Sequence, residues 1–114
     1  MGFIKKLLKA EPDRAKAEKL VEKGVERARK GDLEGALKHY RDAQRADPSE
    51  PLARVNEGLA LLDRFNRDKD KLDEYDRKER LREIRSALED AVDYAPEQLG
   101  AQRALLHVRR RLGD

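Results

Sequence analysis

His39 and His107 are the first places to look for proton transfer or metal binding, because a neutral imidazole can do either near neutral pH. Each stands alone in its own helix-patterned stretch. Neither has a second histidine four residues away, the spacing that sets two imidazoles on one helical face for zinc. With no cysteine in the chain, thiolate ligands, nucleophilic thiols and disulfides are excluded. Asp68-x-Asp70, followed by Glu79 eleven residues after Asp68, has the outline of a calcium loop. It fails in detail, since Leu72 occupies the third oxygen-ligand position and Asp73 stands where glycine must make the sharp turn. Gly31 and Gly35 lack the lysine and the spacing of a phosphate loop. The carboxylates alternate with lysines and arginines, which marks solvated helix faces rather than an acid–base pair. These residues therefore predict no catalytic group, no metal site and no cofactor, and a chain that is not an enzyme.

The elements that carry these residues read as helices. Of 114 residues, 45% are charged and 38% apolar, which suits one domain with a thin core. Phe3, Ile4, Leu7 and Leu8 recur at helical spacing around Lys5, Lys6 and Lys9, so residues 1–11 read as a basic amphipathic segment. That run is too short for an export signal or a membrane span, and a cytoplasmic location is expected. A helix from Pro12 to Lys30 follows, with Gly31 as its left-handed cap and Asp32 as the next N-cap. Leu33 to Ala46 places Leu33, Ala36, Leu37, Tyr40 and Ala43 on one face. Beyond the breaker Asp47-Pro48-Ser49-Glu50-Pro51, Ser49 is expected to cap a helix running to about Phe65 with Val55, Leu59 and Leu62 as its stripe. The last two helices carry Leu81, Ile84, Leu88, Ala91 and Val92, and then Leu105 and Leu106, with Gly113 as the stop.

Gly24 and Gly58 are 34 residues apart, and each unit closes at a proline, Pro48 and Pro96. Leu20, Gly24, Ala36, Tyr40, Ala43 and Pro48 keep the spacings of W-x2-L-G-x2-Y…A-x3-F-x2-A-x4-P, while Lys23 and Arg27 depart from it. The second unit carries Arg54, Glu57, Gly58 and Leu61, then Ile84, Leu88, Ala91 and Pro96. On these residues the chain resembles the tetratricopeptide repeat (TPR) family. The resemblance implies an all-α fold of antiparallel helical hairpins stacked as a short TPR-like solenoid with an extended second hairpin. Its domain would cover residues 12–114, with repeat 1 at about 17–50, repeat 2 at about 51–98 and a capping helix at about 99–112. Pro48 and Pro96 are 48 residues apart, so 14 residues are inserted, at about 66–79. Either Asp70 caps an overhanging helix whose tip is closed by Phe65, Leu72 and Tyr75, or Asp76 with Glu79 caps a later start and leaves 66–75 as a loop. The overhanging helix is the favoured reading.

The resemblance also implies a concave groove lined by the first helix of each hairpin, here Val21, Val25, Leu52, Val55, Asn56 and Leu59, with Arg103 and His107 from the cap. The members of the family that clamp chaperone carboxylate tails use five polar positions, where this chain has Val21, Val25, Asn56, Gly100 and Ala104. That partner is disfavoured. The expected function is a protein–protein adaptor that takes a peptide or helix of a partner, whose identity the residues do not reveal. Alternatives are a self-associating, homo-oligomeric scaffold or a tether through the basic ends. Residues 1–30 sum to +5, residues 31–99 to −5 and residues 100–114 to +3, so the ends are basic and the middle acidic. Without a pattern of stacking aromatics, nucleic acid is disfavoured, and membrane-surface contact is expected to be weak. Phe3, Ile4, Leu7 and Leu8 are expected to dock on the first repeat, with a partner, a second copy or a membrane surface as alternatives.

Overall fold

The computed structural model describes residues 11–114, so the docking expected of Phe3, Ile4, Leu7 and Leu8 lies outside the described residues. Among the described residues the chain forms helices α1 (Arg14–Arg29), α2 (Leu33–Ala46), α3 (Pro51–Asp68), α4 (Glu74–Tyr94) and α5 (Leu99–Leu112), with one 3₁₀ turn at Lys69–Lys71. Consecutive helices pack on one another across short connections, so α1/α2 and α3/α4 are antiparallel hairpins. The hairpins stack through α2 and α3, α5 packs on α4, and the first helices touch in the order α1, α3, α5. This is an all-α, TPR-like solenoid of two hairpins with a fifth helix packed on the second.

The local chemistry explains where each helix starts. Gly31 takes φ +83°, a left-handed conformation that ends α1, and Asp32 then accepts from the Gly35 N–H at 2.9 Å to open α2. Other starts differ from the sequence reading. Pro12 lies outside α1, because Asp13 is the cap: its side chain accepts from Lys16 N–H at 3.0 Å, and its own N–H donates to Ala46 O at 2.8 Å. Ser49 does not cap α3. Glu50, 3% exposed, accepts from the N–H groups of Leu52 at 3.1 Å and Ala53 at 2.7 Å, with Pro51 in the first turn. The last helix begins at Leu99, after Gln98, which makes no capping bond through its side chain.

Ser49 turns instead to Asp47, giving its hydroxyl at 2.7 Å and its N–H at 3.0 Å to a carboxylate that is 3% exposed. The Ser49 hydroxyl and N–H, with the Arg14 guanidinium 3.8 Å away, hold the Asp47 carboxyl below the usual carboxylate range. A folded-state value below the unfolded one adds stability that is complete above about pH 4 and is lost as pH falls through the lowered value. Asp47→Asn should therefore flatten the acid limb of thermal stability measured by circular dichroism. Melting curves of variant and wild type that stay parallel from about pH 5 to about pH 2 would remove Asp47 from the acid response.

The five residues of the α2 face, Leu33, Ala36, Leu37, Tyr40 and Ala43, are all buried. The largest core cluster joins Phe65, Leu81, Ile84 and Leu88 of the second hairpin to Ala104, Leu105 and Val108 of α5. Alanine-rich seams fill the rest, as where Ala17, Val21 and Ala43 meet Ala53. Small residues here let helices approach closely while apolar area leaves water.

The insertion is helix on both sides of a tight tip. α3 runs three residues past Phe65 and α4 starts at Glu74. The cap is Asp73, which accepts from Asp76 N–H at 2.8 Å, so neither Asp70 nor Asp76 serves. Asp70 is held in the 3₁₀ turn, and Arg77 Nε donates to Lys69 O at 2.7 Å across the tip. Phe65 is buried and Leu72 packs on the same cluster, but Tyr75 is 70% exposed and closes nothing. Two residues beyond the Asp73 cap, Tyr75 falls on the outward side of the new helix.

Candidate protein-binding surface

Side by side, α1, α3 and α5 make the first-helix face of the stack. On α3, Leu52, Asn56 and Leu59 follow one another at helical spacing; Leu52 is 39% exposed, and Asn56 and Leu59 are half-buried. Val25 of α1 is also half-buried, packed against the clusters that hold the first hairpin to α3. Val21 and Val55 do not join this face. They are 6% and 4% exposed, Val21 against Ala17, Ala43 and Ala53, and Val55 against Ala91, Ala95 and Ala101. Alanines on the facing helices bring the backbones close enough for a valine to fill the gap, so both are core rather than groove wall.

Arg103 and His107 are exposed on α5, and they part company. Arg103 lines a cleft of about 480 Å3 where α5 meets α4, while His107 is not among the residues that line it. Leu105 and Val92 contribute to this terminal cleft, Leu99 and Leu106 stand beside them at 58% and 51% exposed, and Arg103 and Arg109 add positive charge. Leucines this exposed on one helix face mark a surface that gains by being covered. The sequence reading missed Leu99 and Val92 as surface anchors. The signal was present, because Leu99 and Leu106 are seven residues apart and share a helical face distinct from that of Ala101, Ala104 and Val108.

A polar network fixes the stacking of the hairpins. Arg41 Nε donates to Glu57 at 2.9 Å, Gln44 donates to Glu57 at 3.2 Å, and Arg54 donates to Gln44 at 3.2 Å while its guanidinium lies 4.0 Å from the centre of the Tyr94 ring. It ties α2, α3 and α4 together, combining charge-assisted hydrogen bonds with a cation–π contact. The shifted carboxylates Glu34, Asp47 and Asp68 all have ion-pair or hydrogen-bond partners that account for their shifts. Among the described residues no three His, Asp or Glu side chains converge as a metal site, and no helix is long and apolar enough to cross a membrane.

No protein-family model and no curated protein matches the chain. A solved structure described as the first TPR of Spaghetti (RPAP3) bound to HSP90 peptide SRMEEVD is similar at 22% identity, over 90% of this chain and 98% of that one, with a TM-score of 0.46.

Proposed function

We propose that this chain is a non-enzymatic protein-interaction module, working in the cytoplasm, that receives a helical segment of a partner protein in the terminal cleft between α4 and α5. The observation that carries this reading is the exposure of Leu99 and Leu106, 58% and 51%, beside the cleft formed with Val92 and Leu105. A partner helix would lie along α5, over the cleft that Val92 and Leu105 form with it. Its apolar stripe would cover the leucines, and acidic residues on it would meet Arg103 and Arg109. Leu52, Asn56 and Leu59 on α3 form an additional contact face, with Asn56 able to bond a partner's backbone.

Burying a leucine contributes about 1.5–3 kcal/mol, so Leu99→Asp with Leu106→Asp should weaken capture at least about tenfold. Both positions are exposed, and the helical circular dichroism spectrum should stay unchanged. The measurement is recovery of partners from a native extract, identified by mass spectrometry, by wild type and by the double variant. Equal recovery of the same partners would sink the assignment. The same leucines favour self-association as a second reading, in which two copies cover each other's α5. Sedimentation decides it: a monomer at tens of micromolar rules that assembly out.

A further inference from the structure

The second hairpin outreaches the first, and between α3, the 3₁₀ turn and α4 it holds a cleft of about 470 Å3. Phe65 and Ile84, 4% and 3% exposed, give it an apolar floor, with half-buried Leu61 and Leu72 beside them. Its charged lining is Arg64, Arg67, Lys71 and Arg80 against Asp68 and Glu83. Arg67 is already committed. It donates to both Asp68 oxygens at 2.9 Å and to Glu34 of α2 at 3.2 Å, which holds the Asp68 and Glu34 carboxyls below the usual range. Arg64, Lys71 and Arg80 form no ion pair among the described residues, nor does Glu83. Counting Arg67 with the two carboxylates it holds, four cations stand against three carboxylates, Asp68, Glu83 and Glu34, a local excess of one positive charge in the part of the chain, residues 31–99, that sums to −5. The positive charge is therefore local to the cleft and runs against its surroundings.

We infer that this cleft is a second binding site, for an acidic segment of a partner protein, with carboxylates on Arg64 and Arg80 and an apolar side chain seated over Leu61 and Leu72. Guanidinium groups pair with carboxylates in planar, two-point fashion, and the apolar floor rewards a side chain that a phosphate backbone does not carry. A nucleic-acid strand fits less well. Asp68 and Glu83 would oppose its phosphates, and the one aromatic of the lining, Phe65, is buried and lies beneath the Arg111 guanidinium, 5.2 Å from the ring centre. The inserted residues are on this reading a contact surface and not a spacer. The site lies apart from Leu99 and Leu106, so it stands independently of the terminal cleft.

The test is an amide and arginine-side-chain NMR titration of the whole chain with acetyl-Glu-Asp-Leu-Glu-Asp-amide. Its Gln/Asn counterpart and a single-stranded oligouridylate serve as the other probes. Expected are shifts at Arg64, Leu72 and Arg80 with the acidic peptide, weakened by salt because the pairs sit at the protein surface. Arg64→Glu with Arg80→Glu should weaken binding at least about tenfold, whereas Leu99→Asp should leave it unchanged. If that charge-reversed variant loses its helical spectrum, Arg64→Gln with Arg80→Gln replaces it. The inference is overturned by the absence of shifts at millimolar peptide, by equal binding of the neutral peptide, by undiminished binding to the variants, or by tighter oligouridylate binding at the same residues.

Discussion

Gly24→Val should destabilise the fold by about 3 kcal/mol or more, a large share of the about 5–15 kcal/mol that holds a domain together. A Cβ at Gly24 would stand 2.3 Å from Tyr40 Cε1, 2.7 Å from Cδ1 and 3.0 Å from Cζ. Tyr40 has nowhere to retreat. It is 3% exposed and packed with Ala36, Leu37 and Ala60, and its ring is rigid, so the clash must be relieved by moving α1 against α2. Alanine gains about 1 kcal/mol over glycine in helix propensity, and overpacking costs about 1–3 kcal/mol, so Gly24→Ala should be mildly destabilising and valine much more so. Urea unfolding followed by circular dichroism measures both. In a Tyr40→Leu background the penalty for Gly24→Ala should shrink, a coupling expected only for residues in contact. Equal penalties in the two backgrounds would mean that the glycine answers to something other than the ring.

Leu88→Ala should cost about 3–5 kcal/mol, near the upper end for a leucine whose site cannot collapse. Leu88 is fully buried in the cluster that joins the second hairpin to α5, among Phe65, Leu81, Ile84 and Val108. Its side chain also meets the backbone of α3, since a Cβ at Gly58 would stand 2.7 Å from Leu88 Cδ2 and 3.2 Å from Cγ. The sign of a second change therefore depends on Leu88. Gly58→Ala should be destabilising in the wild type and neutral to stabilising in the Leu88→Ala chain, where the new methyl fills part of the space and helix propensity improves. Denaturant midpoints of the four chains test this directly. A destabilising Gly58→Ala in both backgrounds would show that Leu88 is not what excludes the methyl.

These two glycines show how far local pattern reaches. The sequence carries their 34-residue spacing, the Gly31-Asp32 junction and all five buried residues of α2, because each follows from helical periodicity or from the left-handed backbone glycine tolerates. The insertion was legible as extra helix but not in its cap. Asp70, Asp73 and Asp76 are chemically equivalent candidates, and the choice fell to Asp73 once Leu72 packed on the core cluster. The start of α3 misled for a related reason. Serine is the better cap in isolation, but Asp47 takes the Ser49 hydroxyl and N–H, which leaves the capping to buried Glu50.

The candidate site was the less legible part. Val21 and Val55 fall on the periodic positions that line a groove in the family the chain resembles, yet both are closed into the core, while Leu99 and Leu106 lie open. Periodicity gives the stripes of a helix but not the neighbour that covers each stripe. What the sequence determined by itself is the all-α hairpin repeat, since turn residues and apolar spacing act over a few residues. Which valines are core, which leucines are surface, and where the tip of the second hairpin gathers Arg64, Lys71 and Arg80 were decided only by tertiary packing. That packing depends on how closely alanine- and glycine-bearing helices approach across gaps of dozens of residues, where no local rule operates.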